Sequence, residues 1–443
     1  EVRPIRTMAD DHGFAEVFLD EVRVPRHAML GELHDGWSVA TRTLNNERAG
    51  VAVLYLRLRG SVEKKRTRII EFAPKQTGLT PYAWKHVGFE PGTQAASVEA
   101  TLADAAVAAQ LAKGPVVIVV GKANLAESGA AQMAAFAALR AAAPNAKVLT
   151  ANRRGNVAGA LRMGMRTGAN GLDTRLILKA AAEGKIECLV LVGADPLADC
   201  PDTDLARRGL AGARRIIAVD TFLTSSSQKA DVVFAASAYG EKAGTHTNLE
   251  GRVTALARAV TPAGTSRADW MIASELAMAL GTDLGYSTVD DITTHIAATV
   301  PGFEHVTPAA VAGDGVLAGA PTDMVLATPA AAPLPERNAY EFRLVVSRVL
   351  YDQAVGTAKS PSLAHLARPS QVHLHPLDLE RVGTTDGRSV KLSGARTSVV
   401  FTAVADPSVL RGTAWVPFNQ SGPDVGELID CFAPVNDVRI ETL

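Results

Sequence analysis

The sequence predicts an α/β protein: a parallel sheet with helices on both faces, a β-rich C-terminal region and a short strand–helix fragment in front. Three observations carry this. From Ala100, short and wholly apolar runs alternate with amphipathic stretches, as they do where parallel strands are buried on both faces. From Glu341 the helical period gives way to strand-like runs separated by tight turns. Residues 13–59 hold a strand and a long apolar stripe with no partner of their own kind later in the chain.

Composition narrows the function classes. The 443 residues are 47% hydrophobic and 21% charged, ordinary for a globular protein able to bury a sizeable core. A formal net charge of -1 excludes a strongly basic nucleic-acid face. Cys188, Cys200 and Cys431 are dispersed, with no C-x-x-C, so neither a disulfide framework nor a zinc knuckle nor an iron–sulfur cluster held by this chain alone is expected. The longest apolar runs, such as 115–120, are too short to cross a bilayer, so no direct membrane insertion is expected. The chain opens on Glu1 without an initiator Met or a signal peptide, as expected of a fragment or a processed product.

The elements follow in order. Residues 14–19 alternate, with Ala15, Val17 and Leu19 on one face, and Pro25 ends a second run over 22–24. Trp37, Ala40, Leu44, Val51, Leu54 and Leu58 then share one stripe at helical period. Residues 60–97 read as a join: a basic run, Pro and Gly at turn positions, and Trp84 and Phe89 as anchors on a neighbouring domain. Next come a helix over 101–111, a strand over 116–120, a helix over 128–142, a strand over 147–150 and helices over 156–163 and 173–182. A strand over 189–192, a short helix over 203–209, a strand over 216–219 and an apolar run over 232–235 complete the pattern. A helix over 269–280 carries Trp270, Ala273, Leu276, Ala277 and Leu280 on one stripe; an Ala/Pro/Gly-rich linker follows over 301–338, then the β-rich region.

Asp195 in LVGADP and Asp220 in IAVDT stand at carboxyl ends of strands, where open parallel sheets bind ligands. Each can accept hydrogen bonds from a nucleotide, or cap the next helix or turn; no G-x-G-x-x-G accompanies them. His373 and His375 are two apart on a strand but lack a third metal ligand, so they read as surface or core histidines. Ser225, Ser226 and Ser227 have no G-x-S-x-G around them. Glu47 and Arg48 read as a solvated ion pair.

Residues 220–253 form a long ordered pattern: an acid at a strand end, a Thr/Ser-rich turn, A-D-V-V, then Glu241, Gly244-Thr245, Asn248 and Glu250-Gly251-Arg252. It resembles the molybdopterin oxidoreductase family, whose corresponding loops lie against a pterin–guanine dinucleotide. The resemblance implies cofactor-binding positions at Asp195, Asp220, Gly244, Thr245, Asn248 and Arg252. Small residues at 244 and 245 would let backbone N–H groups approach an anion, Asn248 would fix a loop, and Arg252 would pair with phosphate or with an internal carboxylate. The same Glu and Arg can instead lock a crossover between domains.

Within that family NVAGALRMGM, LVLVGADPLADCPD and the EGRV tract look like the large peripheral (G-type) subunits of NADH–quinone oxidoreductases, over about residues 98–443. That likeness implies a degenerate domain serving as a scaffold, with no catalytic or metal-binding residue and no molybdopterin guanine dinucleotide retained. Its partners would be other subunits of a respiratory NADH dehydrogenase, on the cytoplasmic face of the cell membrane. The order strand, H-P-L-D-L, short helix, G-T-T-D-G, strand resembles the family's C-terminal double-psi β-barrel, in which residues 351–366 would face the cofactor. V-R-V-P, L-G, G-W and E-R in residues 1–59 resemble an acyl-CoA dehydrogenase fragment without its catalytic carboxylate, so FAD is not expected and the chain reads as a chimera. The expected units are 1–59, 60–97, 98–300, 301–338 and 339–443. Two alternatives are a molybdopterin-dependent oxidoreductase that keeps its cofactor and an acyl-CoA dehydrogenase fragment with a foreign tail.

Overall fold

The computed structural model describes residues 2–5, 14–17, 52–122, 124–152, 154–165, 171–320 and 332–443. β1 (Val2–Ile5) and β2 (Phe14–Val17) pair antiparallel. Glu47, Arg48, the run over 22–24 and most of the stripe that begins at Trp37 lie outside the described residues; α1 runs over Ala52–Lys65.

The stretch expected as a join is built into the fold. β3 (Ile70–Ala73) and β4 (Lys85–Gly88) pair in parallel, and Phe89 is buried while Arg68 stacks 4.9 Å from the Trp84 ring. Its strongest tie reaches across the chain: buried Lys75 lies 2.5 Å from Asp406 Oδ2 and 4.8 Å from the centre of the Trp415 ring. Local periodicity misses this stretch because its partners are more than three hundred residues away in sequence.

The α/β body follows. The single helix expected over 101–111 is two, α2 (Gln94–Leu102) and α3 (Ala105–Leu111), because the Asp104 carboxylate accepts from the Ala106 N–H and starts a new helix. β5 (Val117–Val120) and β6 (Lys147–Thr150) form one parallel pair, covered by α4 (Ala130–Ala142) through Ile118 and Phe136. After α5 (Val157–Arg162) and α6 (Thr174–Ala182) come β7 (Cys188–Val192), α7 (Pro196–Asp199), α8 (Thr203–Gly212), β8 (Arg215–Asp220) and β9 (Val232–Ala235). The three strands make a parallel sheet in the order β7-β8-β9. α6 and α8 cross closely because α8 offers glycine at the contact: a Cβ on Gly209 would stand 2.9 Å from the Leu178 carbonyl oxygen. Leu189, Leu191 and Ile216 bury one face of this sheet, while Val190 and Val192 on the other are 51% and 56% exposed among the described residues. The expected single sheet is thus divided into separate parallel sheets, and its strands alternate in burial as half-buried strands do.

β10 (Gly244–Thr247) and β11 (Arg252–Leu256) form an antiparallel hairpin, followed by α9 (Asp269–Ala279) and α10 (Val289–Thr299), which opens with a Thr288–Asp291 capping box. The first part of the expected linker is packed. Phe303, Val306 and Val311 are buried against Val253, and β12 (Val316–Leu317) pairs with β11; residues 321–331 lie outside the described residues. Ala and Gly around these three apolar anchors masked them in the sequence.

The C-terminal region is a closed six-stranded barrel. β13 (Glu341–Ser347) is followed by α11 (Val355–Ala358), β14 (Gln371–Leu374), α12 (Pro376–Val382), β15 (Ser389–Ser393), β16 (Ser398–Ala405), β17 (Thr413–Pro417) and β18 (Asp437–Thr442). The order around it is β13-β17-β14-β16-β15-β18, with β13–β17 and β14–β16 parallel. Phe342, Leu344, Leu374, Leu392 and Phe401 fill its interior. Pro376 opens α12 and Gly383, at φ 80, closes it, as the H-P-L-D-L and G-T-T-D-G pattern anticipates.

Burial alone would raise the Asp406 carboxyl, but hydrogen bonds from His373, Lys75 and Ser408 outweigh it and hold the group well below the usual carboxylate range. A depressed folded pKa makes its stabilisation full at neutral pH and lost as pH falls through that pKa. Lys75→Met is expected to cost about 3 kcal/mol at pH 7, because it removes one partner of a buried pair. Urea midpoints should show the penalty shrinking as the pH drops below about 4, the ordinary carboxylate value.

Candidate functional site

The two strand-end carboxylates come together. β7 and β8 are neighbours with Val192 opposite Val219, so Asp195 and Asp220 leave the same edge of the sheet, and each adds to the field felt at that edge. Their chemistry differs. Asp195 is buried, and its Oδ1 accepts from the Ser226 N–H at 3.1 Å and from the Ser226 hydroxyl at 2.5 Å. The Ser226 oxygen in turn accepts from the Leu197 N–H at the start of α7, 3.0 Å away. Asp195 therefore fastens the turn after β8 to the helix after β7. Thr224 and Ser227 close the same turn, with their hydroxyl oxygens 3.0 Å apart. The serine run is a structural knot, and none of its hydroxyls meets a histidine in these contacts.

Asp220 Oδ1 accepts from the Thr221 N–H at 2.7 Å and from the Phe222 N–H at 3.4 Å. Burial pushes its carboxyl above the ordinary value against these hydrogen bonds, and the Asp195 and Asp269 carboxylates push the same way. Asp220 thus combines a strand-end position with a raised titration.

Gly244, Thr245, Asn248 and Arg252 lie on the β10–β11 hairpin, in another sheet. Gly244 and Thr245 are in register with Leu256 and Ala255, and a Cβ on Gly244 would meet nothing within 4 Å, so no close approach demands glycine there. Asn248 Oδ1 accepts from the Glu250 and Arg252 N–H groups, both at 2.9 Å, and so fixes the loop as its residue type suggested. The Arg252 guanidinium donates to the Gly315 carbonyl at 3.2 Å, holding the segment that leads to β12 rather than an acid.

His373 and His375 do not form a pair. His373 Nδ1 lies 3.1 Å from Asp406 Oδ2 and its ring meets Trp415 edge-on, while His375 caps α12 by accepting from the Leu377 N–H. Among the described residues no group of three His, Cys, Asp or Glu side chains is placed to hold a metal ion. Cys188 is exposed and Cys200 buried, and burial pushes the Cys431 thiol up to about 12.

The groups that sequence reasoning missed line the seam between body and barrel. Arg348, just after β13, donates to the Asp199 carbonyl at 2.9 Å and to its carboxylate at 3.2 Å, and Arg154 reaches the same carboxylate at 2.7 Å. Asp202 accepts from Arg396 at 2.9 Å, and Arg207 meets Glu427 with both its terminal nitrogens. Two hollows lie at the barrel: one is walled by Tyr351, Arg368, His373 and Trp415, and the other, at the seam, by Leu197, Phe418, Asn419 and Asp424. The first includes part of the 351–366 loop expected to face a cofactor. Single residues whose partners lie well over a hundred positions away leave no local signal.

A family model described as Molybdopterin oxidoreductase matches residues 45–279, and one described as molybdopterin dinucleotide binding domain matches residues 342–438. The α subunit of an NADPH-Fe(3+) oxidoreductase from Geobacter sulfurreducens is 31% identical over 62% of this chain and 32% of its own. The G-type subunit of the NADH-quinone oxidoreductase of Mycobacterium bovis is 28% identical over 84% of this chain and 47% of its own. The α subunit of F420-dependent formate dehydrogenase 1 from Methanococcus maripaludis is 28% identical over 56% and 40%. The chain thus spans less than half the length of these relatives. Acetylene hydratase from Pelobacter acetylenicus superposes with a TM-score of 0.46 at 14% identity, covering 62% of this chain and 47% of that one. None of these matches supports the acyl-CoA dehydrogenase resemblance of residues 1–59, and the first family model begins inside that segment.

The family implies a metal bound through a pterin dinucleotide. Among the positions the family pattern assigns to that group, Asp195, Asn248 and Arg252 already bond within the chain, and Gly244 and Thr245 stand in another sheet from Asp195 and Asp220. Asp195→Ala is expected to cost roughly 1–3 kcal/mol by leaving the Ser226 donors unmet. For Asp220, a raised folded pKa means protonation favours the folded state. Asp220→Asn should therefore gain on the parent most at pH 7, the advantage shrinking as pH falls through that pKa; urea midpoints at pH 7 and at acid pH test this.

Proposed function

The chain belongs to the molybdopterin oxidoreductase family, and we propose that it serves within it as a structural scaffold, the C-terminal part of a subunit of an NADH–quinone oxidoreductase-type assembly. One observation carries the reading. Side chains at the strand ends and along the seam, where a dinucleotide would be held, spend their polar atoms on each other: Asp195 on Ser226, Arg348 and Arg154 on Asp199, Asp202 on Arg396. A ligand-binding cleft keeps charged groups available for its ligand; a scaffold satisfies them and fixes the relation of its parts.

The likeness to the mycobacterial G-type subunit, which runs over most of this chain, points to a multisubunit respiratory partner. On this reading the pterin dinucleotide has been lost, no step of electron transfer passes through these residues, and the other subunits hold the redox groups. No helix among the described residues is long and apolar enough to cross a membrane, which suits a peripheral subunit held at the inner face of the membrane by its partners.

Elemental and pterin analysis of the purified protein tests the proposal. The scaffold is expected to carry molybdenum and tungsten far below one atom per chain and no pterin fluorescence after denaturation. Stoichiometric metal together with a pterin would overturn it and favour an oxidoreductase that keeps its cofactor.

A further inference from the structure

Two thiols meet where the α/β body and the barrel join. Cys200 closes α7 and is buried; Cys431 is partly exposed and lies on the chain between β17 and β18. Both belong to one apolar cluster. Leu178, Cys200, Leu205 and Ala206 form its buried part, and Cys431 packs against it from the barrel side. More than two hundred residues separate the two cysteines in sequence, so no spacing along the chain announces the pair.

The polar contacts around them hold the approach. The Cys431 N–H donates to Asp202 Oδ2 at 3.2 Å, and Asp202 stands two residues beyond Cys200. The Cys431 carbonyl accepts from Arg175 Nη1 at 3.0 Å, so its backbone is fixed between α6 and the capped start of α8. A charge on the Cys200 sulfur disturbs the Cys431 titration more than the Arg175 guanidinium does, which sets the two sulfurs near each other. Among the described residues no third His, Cys, Asp or Glu completes a metal site with them. A pair of thiols is what the arrangement offers.

Their exposures differ as the two members of an exchanging pair must. Cys431 can be reached by a solute, whereas Cys200, at 8% exposure, can be reached only from Cys431. We propose that Cys200 and Cys431 form an oxidative lock, a disulfide that staples the barrel to the body in the presence of a low-molecular-weight disulfide. The Cys431 thiolate attacks one sulfur of that oxidant, giving a mixed disulfide and releasing one thiolate. The Cys200 thiolate then attacks the Cys431 sulfur, and the second thiolate leaves. The two protein thiols lose two protons and two electrons, and the oxidant is reduced to two thiols. Burial pushes both protein thiols up, so the exchange is slow at neutral pH and quickens as pH rises. The lock goes beyond the scaffold reading and does not depend on it.

Oxidised glutathione, applied to the full chain carrying Cys188→Ser, tests the lock when followed by peptide mapping without reductant. The expected product is a peptide pair joined through Cys200 and Cys431, formed roughly tenfold faster per pH unit between about pH 7 and 9. A bond that closes so long a loop constrains the unfolded chain, so the oxidised protein should melt roughly 5 °C above the reduced one, and dithiothreitol should reverse the gain. Cys431→Ser and Cys200→Ala should each abolish the joined peptide and the rise in Tm. The mapping is read on a chain that keeps both cysteines, so a variant that misfolds leaves the test intact. The proposal fails if both thiols stay free, if glutathione remains on Cys431 without displacement by Cys200, or if oxidation leaves Tm unchanged. Metal and pterin content would be unaffected by such a failure, so the two readings stand or fall separately.

Discussion

The structure depends on the Asp202 carboxylate. It is buried at 1% exposure, caps α8 by accepting from the Leu205 N–H at 2.9 Å, receives the Arg396 guanidinium and accepts from the Cys431 N–H at 3.2 Å. Arg396 extends the same knot by donating to the Ile429 carbonyl. One side chain thus joins a helix of the α/β body, a barrel hairpin and the chain leading to β18. Removing any single donor would leave a buried charge short of partners, which costs more than the pair itself contributes. The close α6–α8 crossing through Gly209 places the capped end of α8 against the barrel, so helix packing and the seam are set together.

Much of this architecture was legible in the sequence, and the reasons are specific. The parallel strands were found because short apolar runs recur between amphipathic stretches, and Lys147–Thr150 and Val232–Ala235 match the expected limits although neither is a fully buried strand. The barrel's order of strand, proline-started helix, turn and strand was legible because Pro376 and Asp386-Gly387 are punctuation that acts locally. The helix break at Asp104 was missed because the alanine-rich run keeps its period through the break, and only the carboxylate's choice of the Ala106 N–H decides it. Residues 60–97 read as a join because their partners, such as Asp406 for Lys75, are invisible to any window along the chain.

The candidate site divides along the same line. Sequence spacing located the loop ends correctly: Asp195 and Asp220 do leave one sheet edge together. It could not tell which carboxylate would be free, because that depends on one hydroxyl. Ser226 consumes Asp195, whereas Asp220 meets only the two amides of its own turn. The hairpin candidates keep to the structural side of their expectation. Asn248 and Arg252 have the residue types of an anion site, but both act within the hairpin and its β12 neighbour, and Gly244 leaves room that nothing fills.

The seam also shows where the fold keeps its stiffness. Arg207 and Glu427 make a two-nitrogen contact across it, yet the arginine side chain is 51% exposed, and exposed pairs contribute only ~0–1 kcal/mol. Arg154 on Asp199 is similar, at 58%. Screening by salt weakens both, so neither can set the angle between body and barrel. The buried groups can: Asp202 at the α8 cap, and Asn124, which accepts from the Val346 N–H at 2.8 Å and donates to the Leu344 carbonyl at 3.2 Å. These are hydrogen bonds to fixed backbone, insensitive to ionic strength and intolerant of small displacements. Body and barrel tied in this way keep their relation through buried groups and do not call on the exposed charged pairs.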